Sequence, residues 1–495
     1  MAHGTSSRDS LPHVVIVGGG IAGLAAAFFL RDEPVRVTVL EGASGIGGKL
    51  SASEVAGVPM DAGAEALLAR RPEGIDLITA TSLGDSLVPA GVTSSSMYTR
   101  GTLRPLPKRQ FMGVPADIDE LAATGVVSPE GIERAKAETT PEPTAGDSQD
   151  VSVTEYIGRR IGAEVVDRLV DPLLGGVYAG RSEDLSFRAT LAPLAASAAK
   201  HDTLTHAAAA LIPPPPPAGQ PLKDHQKPKP VFVSLTTGLG ALPEVLAKES
   251  GAVIRTNAMV RDLERTSSGW RLTVGSAASP EQVEADAVIL AVPAVPASRL
   301  LSRTDQAASA ALGAIPYASM AIITLAFRAG DFPHDQLGRS GYLVPAVDGR
   351  AVKAATFSTV KWPHLARQGD GVHIVRCSIG RAGEVALLQR DDQDLVTLAA
   401  EELGAAIGIG AAPVDSRVTR WGGGLPQYNV GHLDRVARIR AAVAAQPGLA
   451  VAGAAYDGVG IPACVATARA AADQVLRHLR ATSPHRAEQP SVRDN

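Results

Sequence analysis

"HVVIVGGGIAGLAAAFFLRDEPVRVTVLE" (residues 13–41) decides the reading of this chain. An apolar strand over 14–17 runs into Gly18-x-Gly20-x-x-Gly23, an apolar helix follows, and a second strand ends at Glu41. Each part has a physical task. Gly18 permits the tight turn, Gly20 lets backbone approach a pyrophosphate, and Gly23 lets the helix lie close on the strand. Ile21 and Ala22 open the helix, whose free N–H groups and partial positive charge suit an anion. Glu41 stands 18 residues after Gly23, placed to accept hydrogen bonds from a ribose diol. A βα corner that binds nothing would not need all of these together.

Two further stretches extend that reading. "GASGIGGKL" (42–50) follows Glu41 at once and offers Gly48 and Lys49 as a second loop near phosphates or ribose; alone it is an ordinary turn. "LAVAGAAYDGVGIPACVATA" (449–468) repeats the strand, glycine turn and helix start more than 400 residues later. We expect both ends of the chain to close on one elongated, phosphate-bearing cofactor.

Composition sets the bounds. The chain has 495 residues, 45% hydrophobic and 20% charged, which is long enough for two or three domains around a large core. A formal net charge of −4 argues against a nucleic-acid binder with a basic surface. Two cysteines, Cys377 and Cys464, make no disulfide framework and show no metal-ligand spacing, so no metal is expected and a reducing, cytoplasmic setting fits. The first residues lack the apolar core of a signal peptide. The uncharged run 307–327 is broken by Ser309, Gly313, Pro316, Ser319 and Thr324, which predicts a helix end, a turn and a strand instead of an integral membrane span.

The pattern along the chain predicts an α/β fold: a Rossmann-like cofactor domain from discontinuous segments, with a β-rich domain and a helical domain inserted. The cofactor domain is assigned to 11–75, 231–300 and 445–480. The β-rich domain takes 76–110 and 301–444, and the helical domain 111–212. Residues 136–150 and the Pro-rich 213–230 read as surface loops, and 1–10 and 482–495 as disordered tails.

Beside Glu41, the Gly48–Lys49 loop resembles the extension of the FAD-dependent amine oxidase and desaturase superfamily. "MDAGAEALLARRPE" (60–73) resembles its flavin-facing turn, at Gly63 and Ala64. "TTGLGALPEVLA" (236–247) resembles its internal glycine segment, and "AMVRDLE" its adenine-receiving strand, at Val260. Three stretches narrow it: "DPLLGGVYAGRSEDLSFRA" (171–189), "LPQYNVGHLDRV" (425–436) and "AYDGVGIPACV" (455–465) resemble the protoporphyrinogen/coproporphyrinogen oxidases of haem synthesis. The resemblance runs from about 13 to 480. It implies that Gly453, Gly458, Val459, Gly460 and Ile461 meet the ribityl-phosphate and pyrimidine side of the flavin. Ala454 stands where relatives often carry a polar residue, which puts ribityl contacts there in doubt. Cys464 fits no attachment motif, so the FAD is expected to be non-covalent.

The same resemblance implies six-electron oxidation of a porphyrinogen, with O2 as acceptor and hydrogen peroxide released. No catalytic side chain is singled out by spacing, and His432 reads as structural or capping. Gly341 and Leu343 in "SGYLVPA" and Thr356 in "AATFST" match macrocycle-facing positions, although a plain sheet interior reads the same way. Where plant and animal relatives place a propionate-binding arginine this chain has serine, about Ser95; Arg104, Lys108 or Arg109 are the substitutes weighed. We favour coproporphyrinogen III as substrate, with protoporphyrinogen IX the alternative. A flavin amine oxidase with Tyr456 as one aromatic wall, a desaturase, and a non-catalytic flavin-binding protein remain as rivals. Contact with the next haem-pathway enzyme is left open.

Overall fold

The computed structural model describes residues 11–138, 150–213 and 230–482. The expected tail 1–10, nearly all of the expected tail 482–495 and most of the loops 136–150 and 213–230 lie outside these. Thr482 itself ends a helix.

A five-stranded parallel sheet forms the frame. Its order is Val253–Arg255, Arg36–Leu40, His13–Val17, Ala287–Leu290 and Leu449–Val451. The inner strands are mainly apolar because both of their faces are covered. On one face Val14 and Ile16 pack with the helices Ile21–Phe29, Leu242–Glu249 and Ile461–Thr482. On the other, Val15 and Val17 pack beneath a three-stranded antiparallel sheet carrying Leu263, Trp270 and Leu272, and beside the helices Ala294–Leu301 and His432–Ala444. The frame is therefore assembled from segments far apart in sequence, as the interrupted α/β pattern predicts.

A seven-stranded sheet follows the order Asp415–Pro426, Tyr317–Arg328, Val372–Ile379, Val352–Phe357, Gly341–Leu343, Ser96–Thr99 and Thr102–Pro105. One face buries Ile323, Leu325, Phe357, Val375 and Cys377 against the helix Asp392–Ile407. The helical part gathers Val153, Ile157, Ile161, Leu169 and Leu174 into its own core, and one five-residue stretch, Val166–Val170, is a π-helix.

Two domain limits need correction. Residues 76–89, assigned to the β-rich part, pack with the frame: Leu77, Ile78 and Leu87 join the core of the first helix, and Leu87–Pro89 pairs with Phe232–Leu235. Within 301–444, Leu312, Ile315, Val436, Ile439 and Val443 likewise cover the second face of the parallel sheet. Helical periodicity reveals that these segments have a buried stripe; it does not say which sheet receives it. The uncharged run 307–327 is a helix end, a turn and a strand, as expected. Among the described residues no helix is long and apolar enough to cross a membrane.

Candidate active site

The first glycine turn is tightly built. Gly18 has φ +108°, and a Cβ there would lie 2.6 Å from the Ala291 carbonyl oxygen; one on Gly23 would lie 1.9 Å from the Gly18 oxygen. Gly20 differs: a Cβ on it would meet nothing within 4 Å, so its Cα faces open space. Ile21 and Ala22 then begin the helix. The Glu41 carboxylate accepts the Gly19 and Ala43 N–H groups, both at 2.7 Å, which fixes the acid at the rim of the turn. Ala258 N–H donates to the Glu41 carbonyl at 2.8 Å, and this brings the buried Val260 strand alongside.

The second loop is stitched to the first. Gly47 N–H donates to the Gly19 carbonyl at 2.8 Å, and Gly48 lies against Gly20. Lys49 is half-buried and makes no ion pair among the described residues, and burial pushes its ammonium pKa down. Ala64 N–H donates to the Lys49 carbonyl at 3.2 Å, and Gly63 approaches that carbonyl so closely that a Cβ would sit 1.9 Å from it. Residues 18–23, 47–49 and 63–64 thus form one continuous backbone wall.

The terminal turn closes the same cradle. Its strand, Leu449–Val451, is one strand removed from His13–Val17, and a Cβ on Gly453 would lie 4.0 Å from that of Ala22. Gly453 N–H donates to the Thr467 hydroxyl at 2.9 Å. Gly458 has φ +144°, Val459 and Gly460 follow, and Ile461 begins a 22-residue helix whose Cys464 N–H donates to the Gly460 carbonyl at 3.1 Å. The two glycine segments therefore meet, at Gly453 and Ala22.

This geometry fits a dinucleotide: an open glycine surface at Gly20 and Gly48, helix N-termini suited to phosphate, an acid at the rim suited to a ribose, and a lysine with no ion pair among the described residues. The family described as flavin containing amine oxidoreductase matches residues 21–476. The chain belongs to that family. It is similar to the coproporphyrinogen III oxidase of Mycobacterium tuberculosis, 37% identical over 94% of this chain and 98% of the relative. The Bacillus subtilis coproporphyrinogen III oxidase is 32% identical over 95% and 99%. A crystal structure from Exiguobacterium, provisionally named a protoporphyrinogen oxidase, superposes with a TM-score of 0.81 at 30% identity, covering 95% of this chain and 99% of that one. As a flavin containing amine oxidoreductase, the protein takes a flavin cofactor.

The three most specific sequence stretches converge on the terminal turn. Ser186 N–H donates to the Tyr428 carbonyl at 2.8 Å, and Val430 N–H to that of Asp184 at 3.1 Å. The Tyr428 hydroxyl donates to the Ala454 carbonyl at 2.6 Å and accepts Gly458 N–H at 2.7 Å. The Ala454 carbonyl is thereby taken up within the turn. The His432 ring stacks on Tyr428 at 3.8 Å and reaches the Tyr456 carbonyl at 3.3 Å. Burial lowers its pKa to about 4, so it is a neutral packing group. Tyr456, weighed as an aromatic wall, is instead sealed in the core at 1% exposure with Val436 and Ile439.

Gly341, Leu343 and Thr356 share one sheet face: Gly341 pairs with Thr356 and Leu343 with Ala354, while Tyr342 and Ala355 point into the opposite core. Leu343 reaches across to Gly176 of the helix Asp171–Tyr178, 3.7 Å from where a Cβ would stand. Ser95 immediately precedes the strand that pairs with Gly341–Leu343. Of the basic substitutes, Arg104 stands two strands away from Leu343 on a row through Met97, its guanidinium over Gly125; Lys108 is exposed and Arg109 half-buried.

Sequence reasoning missed Tyr428, Thr467 and the buried trio Glu65, Lys361 and Arg376. Tyr428 lay inside a stretch already singled out, but its hydroxyl's partners stand 26 and 30 residues away. The trio joins residues about 300 positions apart, and no local pattern marks it.

Proposed function

We propose that the protein is a coproporphyrinogen III oxidase that uses non-covalent FAD in the cytoplasm, with O2 as acceptor. The observation carrying this reading is that the segments 171–189, 425–436 and 455–465 fasten to one another around the terminal glycine turn, in a chain similar end to end to enzymes of that name. Coproporphyrinogen III gives up six electrons and six protons in three two-electron steps, and three O2 become three H2O2. FAD, when bound, supplies the two-electron acceptor that oxygen regenerates.

The chain's own part is to hold and orient. Gly18, Gly20, Ile21, Ala22 and Gly23 offer turn and helix N–H groups to the pyrophosphate, Glu41 takes the ribose, and Val260 lies at the adenine end. Gly48, Lys49, Gly63 and Ala64 line the middle. Gly453, Gly458, Val459, Gly460 and Ile461 present amides to the flavin end, where donors favour an electron-rich ring. The face bearing Gly341, Leu343 and Thr356, opposite Gly176, forms the flat apolar wall for the macrocycle. Aromatisation drives the reaction, so positioning replaces a dedicated acid or base. With Tyr456 buried, the amine oxidase alternative loses the one aromatic wall that the sequence offered it.

The test is direct. Purified protein should be yellow, and acid or heat denaturation should release FAD into the filtrate. Under air it should form fluorescent porphyrin and peroxide faster from coproporphyrinogen than from protoporphyrinogen. Equal or reversed rates would remove the substrate assignment.

A further inference from the structure

Beside the cradle lies a group of buried charges that the proposed chemistry does not use. The Arg376 guanidinium donates from Nη1 to Glu65 Oε2 at 2.7 Å, and from Nη2 to the Gly63 carbonyl at 2.5 Å and that of Ala62 at 3.4 Å. Lys361 Nζ takes the other Glu65 oxygen at 2.9 Å, and Ser358 adds a hydroxyl at 3.2 Å. The side chains of Arg376 and Glu65 are only 7% and 14% exposed. Burial would push the Glu65 carboxyl up, but Lys361 and Arg376 outweigh it and hold the group well below the usual carboxylate range.

A buried ion pair is a poor source of stability, since desolvation cancels most of its attraction. What a guanidinium provides is direction: a planar fork that fixes several acceptors at once. Here the acceptors are the carbonyls of a single turn. That turn cannot move alone, because Gly63 is wedged against the Lys49 carbonyl on one side, and its Cβ position is 3.2 Å from Trp421 on the other. Lys49 belongs to the loop stitched to Gly19 and Gly20. At the turn's near end, the Asp61 carboxylate accepts Leu239 and Gly240 N–H at 3.0 and 2.7 Å.

We propose that Arg376 is a positioning residue for the flavin: clamped by Glu65, it fixes the Ala62–Gly63 carbonyls and thereby the Gly63–Ala64 wall of the cradle, and its charge favours the reduced ring. The proposal rests on the flavin reading and is independent of the porphyrinogen one. It links the seven-stranded sheet to the cofactor through one side chain, 313 residues along the chain from Gly63.

The experiment compares R376M, R376K and E65Q holoproteins by FAD dissociation constant, visible spectrum and midpoint potential, with urea unfolding of each apoprotein as control. R376M should bind FAD at least tenfold more weakly, with altered absorbance fine structure. Its reduced-to-oxidised ratio should fall about tenfold at a fixed potential, a negative shift of about 30 mV for a two-electron couple. E65Q, which removes the anion and keeps both cations, should shift the potential the other way. R376K should keep the potential and recover only part of the binding. Should R376M fail to fold, R376K and E65Q still decide. A wild-type potential in folded R376M or E65Q, or a wild-type FAD affinity in R376K, whatever their stability, would overturn the proposal. A wild-type holoenzyme that forms no porphyrin would end the porphyrinogen reading and leave this comparison intact.

Discussion

Gly458 N–H donates to the Tyr428 hydroxyl at 2.7 Å, thirty residues back along the chain. That hydroxyl donates in turn to the Ala454 carbonyl, so one buried oxygen closes the terminal glycine turn. Tyr428→Phe keeps the ring, its stack on His432 and its contact with Tyr178, and removes only this link. It leaves a buried donor and acceptor unpaired, which costs about 1–3 kcal/mol. We expect a lower apoprotein melting temperature and FAD binding weakened by about tenfold, read by thermal unfolding and flavin titration. Unchanged FAD affinity would mean that the turn does not need this hydroxyl.

Gly20 and Gly23 separate cofactor binding from folding. Gly20 has φ −76° and ψ 179°, which any residue adopts, and open space where a Cβ would go. Gly20→Ala should therefore fold with wild-type stability and emerge colourless, because the methyl occupies the place of the pyrophosphate. Gly23→Ala places its methyl against the Gly18 carbonyl and should destabilise the apoprotein, at the upper end of the roughly 1–3 kcal/mol typical of overpacking. Urea unfolding of the two apoproteins and their flavin content check the pair.

That contrast shows what the sequence could and could not tell. The Gly18–Glu41 unit is local: strand, turn, helix and acid lie within 29 residues and carry their own periodicity, so frame and cradle were legible. The meeting of Gly453 with Ala22 followed from a repeated style of segment joined to a family resemblance. Domain limits failed where a helical stripe had two candidate sheets, as at Leu77 and Val436. Arg376 was invisible because its partners are set by tertiary packing. An arginine on a strand reads the same whether it meets solvent or a distant carbonyl.

His432 makes acid stability a test of the packing around the turn. Burial lowers its pKa to about 4 from the ordinary 6.5. Between those values the unfolded chain takes up a proton that the folded one refuses, so stability is full above pH 6.5. It falls as the pH drops toward 4, by on the order of 3 kcal/mol, and the loss levels off below. His13, His364 and His373 carry shifts of the same sign, so the wild-type slope is a sum. His432→Phe retains a stacked ring on Tyr428 without the titration. Chemical unfolding from pH 7 to 4.5 should show a shallower loss for the variant, and parallel curves would remove His432 from the account.

The wall opposite Leu343 offers a variant that should gain stability and lose activity. Gly176 is exposed within the helix Asp171–Tyr178, and a Cβ there has only Leu343 Cδ2 near it, at an ordinary 3.7 Å. Replacing an interior helical glycine by leucine favours the helix by roughly 0.5–1 kcal/mol. The same side chain would crowd Leu343 on the sheet face proposed for the macrocycle. Gly176→Leu should melt no lower than wild type and keep the flavin spectrum unchanged. Its kcat/KM for coproporphyrinogen should fall at least tenfold, because the cradle is untouched and only access to the sheet face is lost. Full activity in a folded, yellow Gly176→Leu enzyme would place the substrate on some other surface.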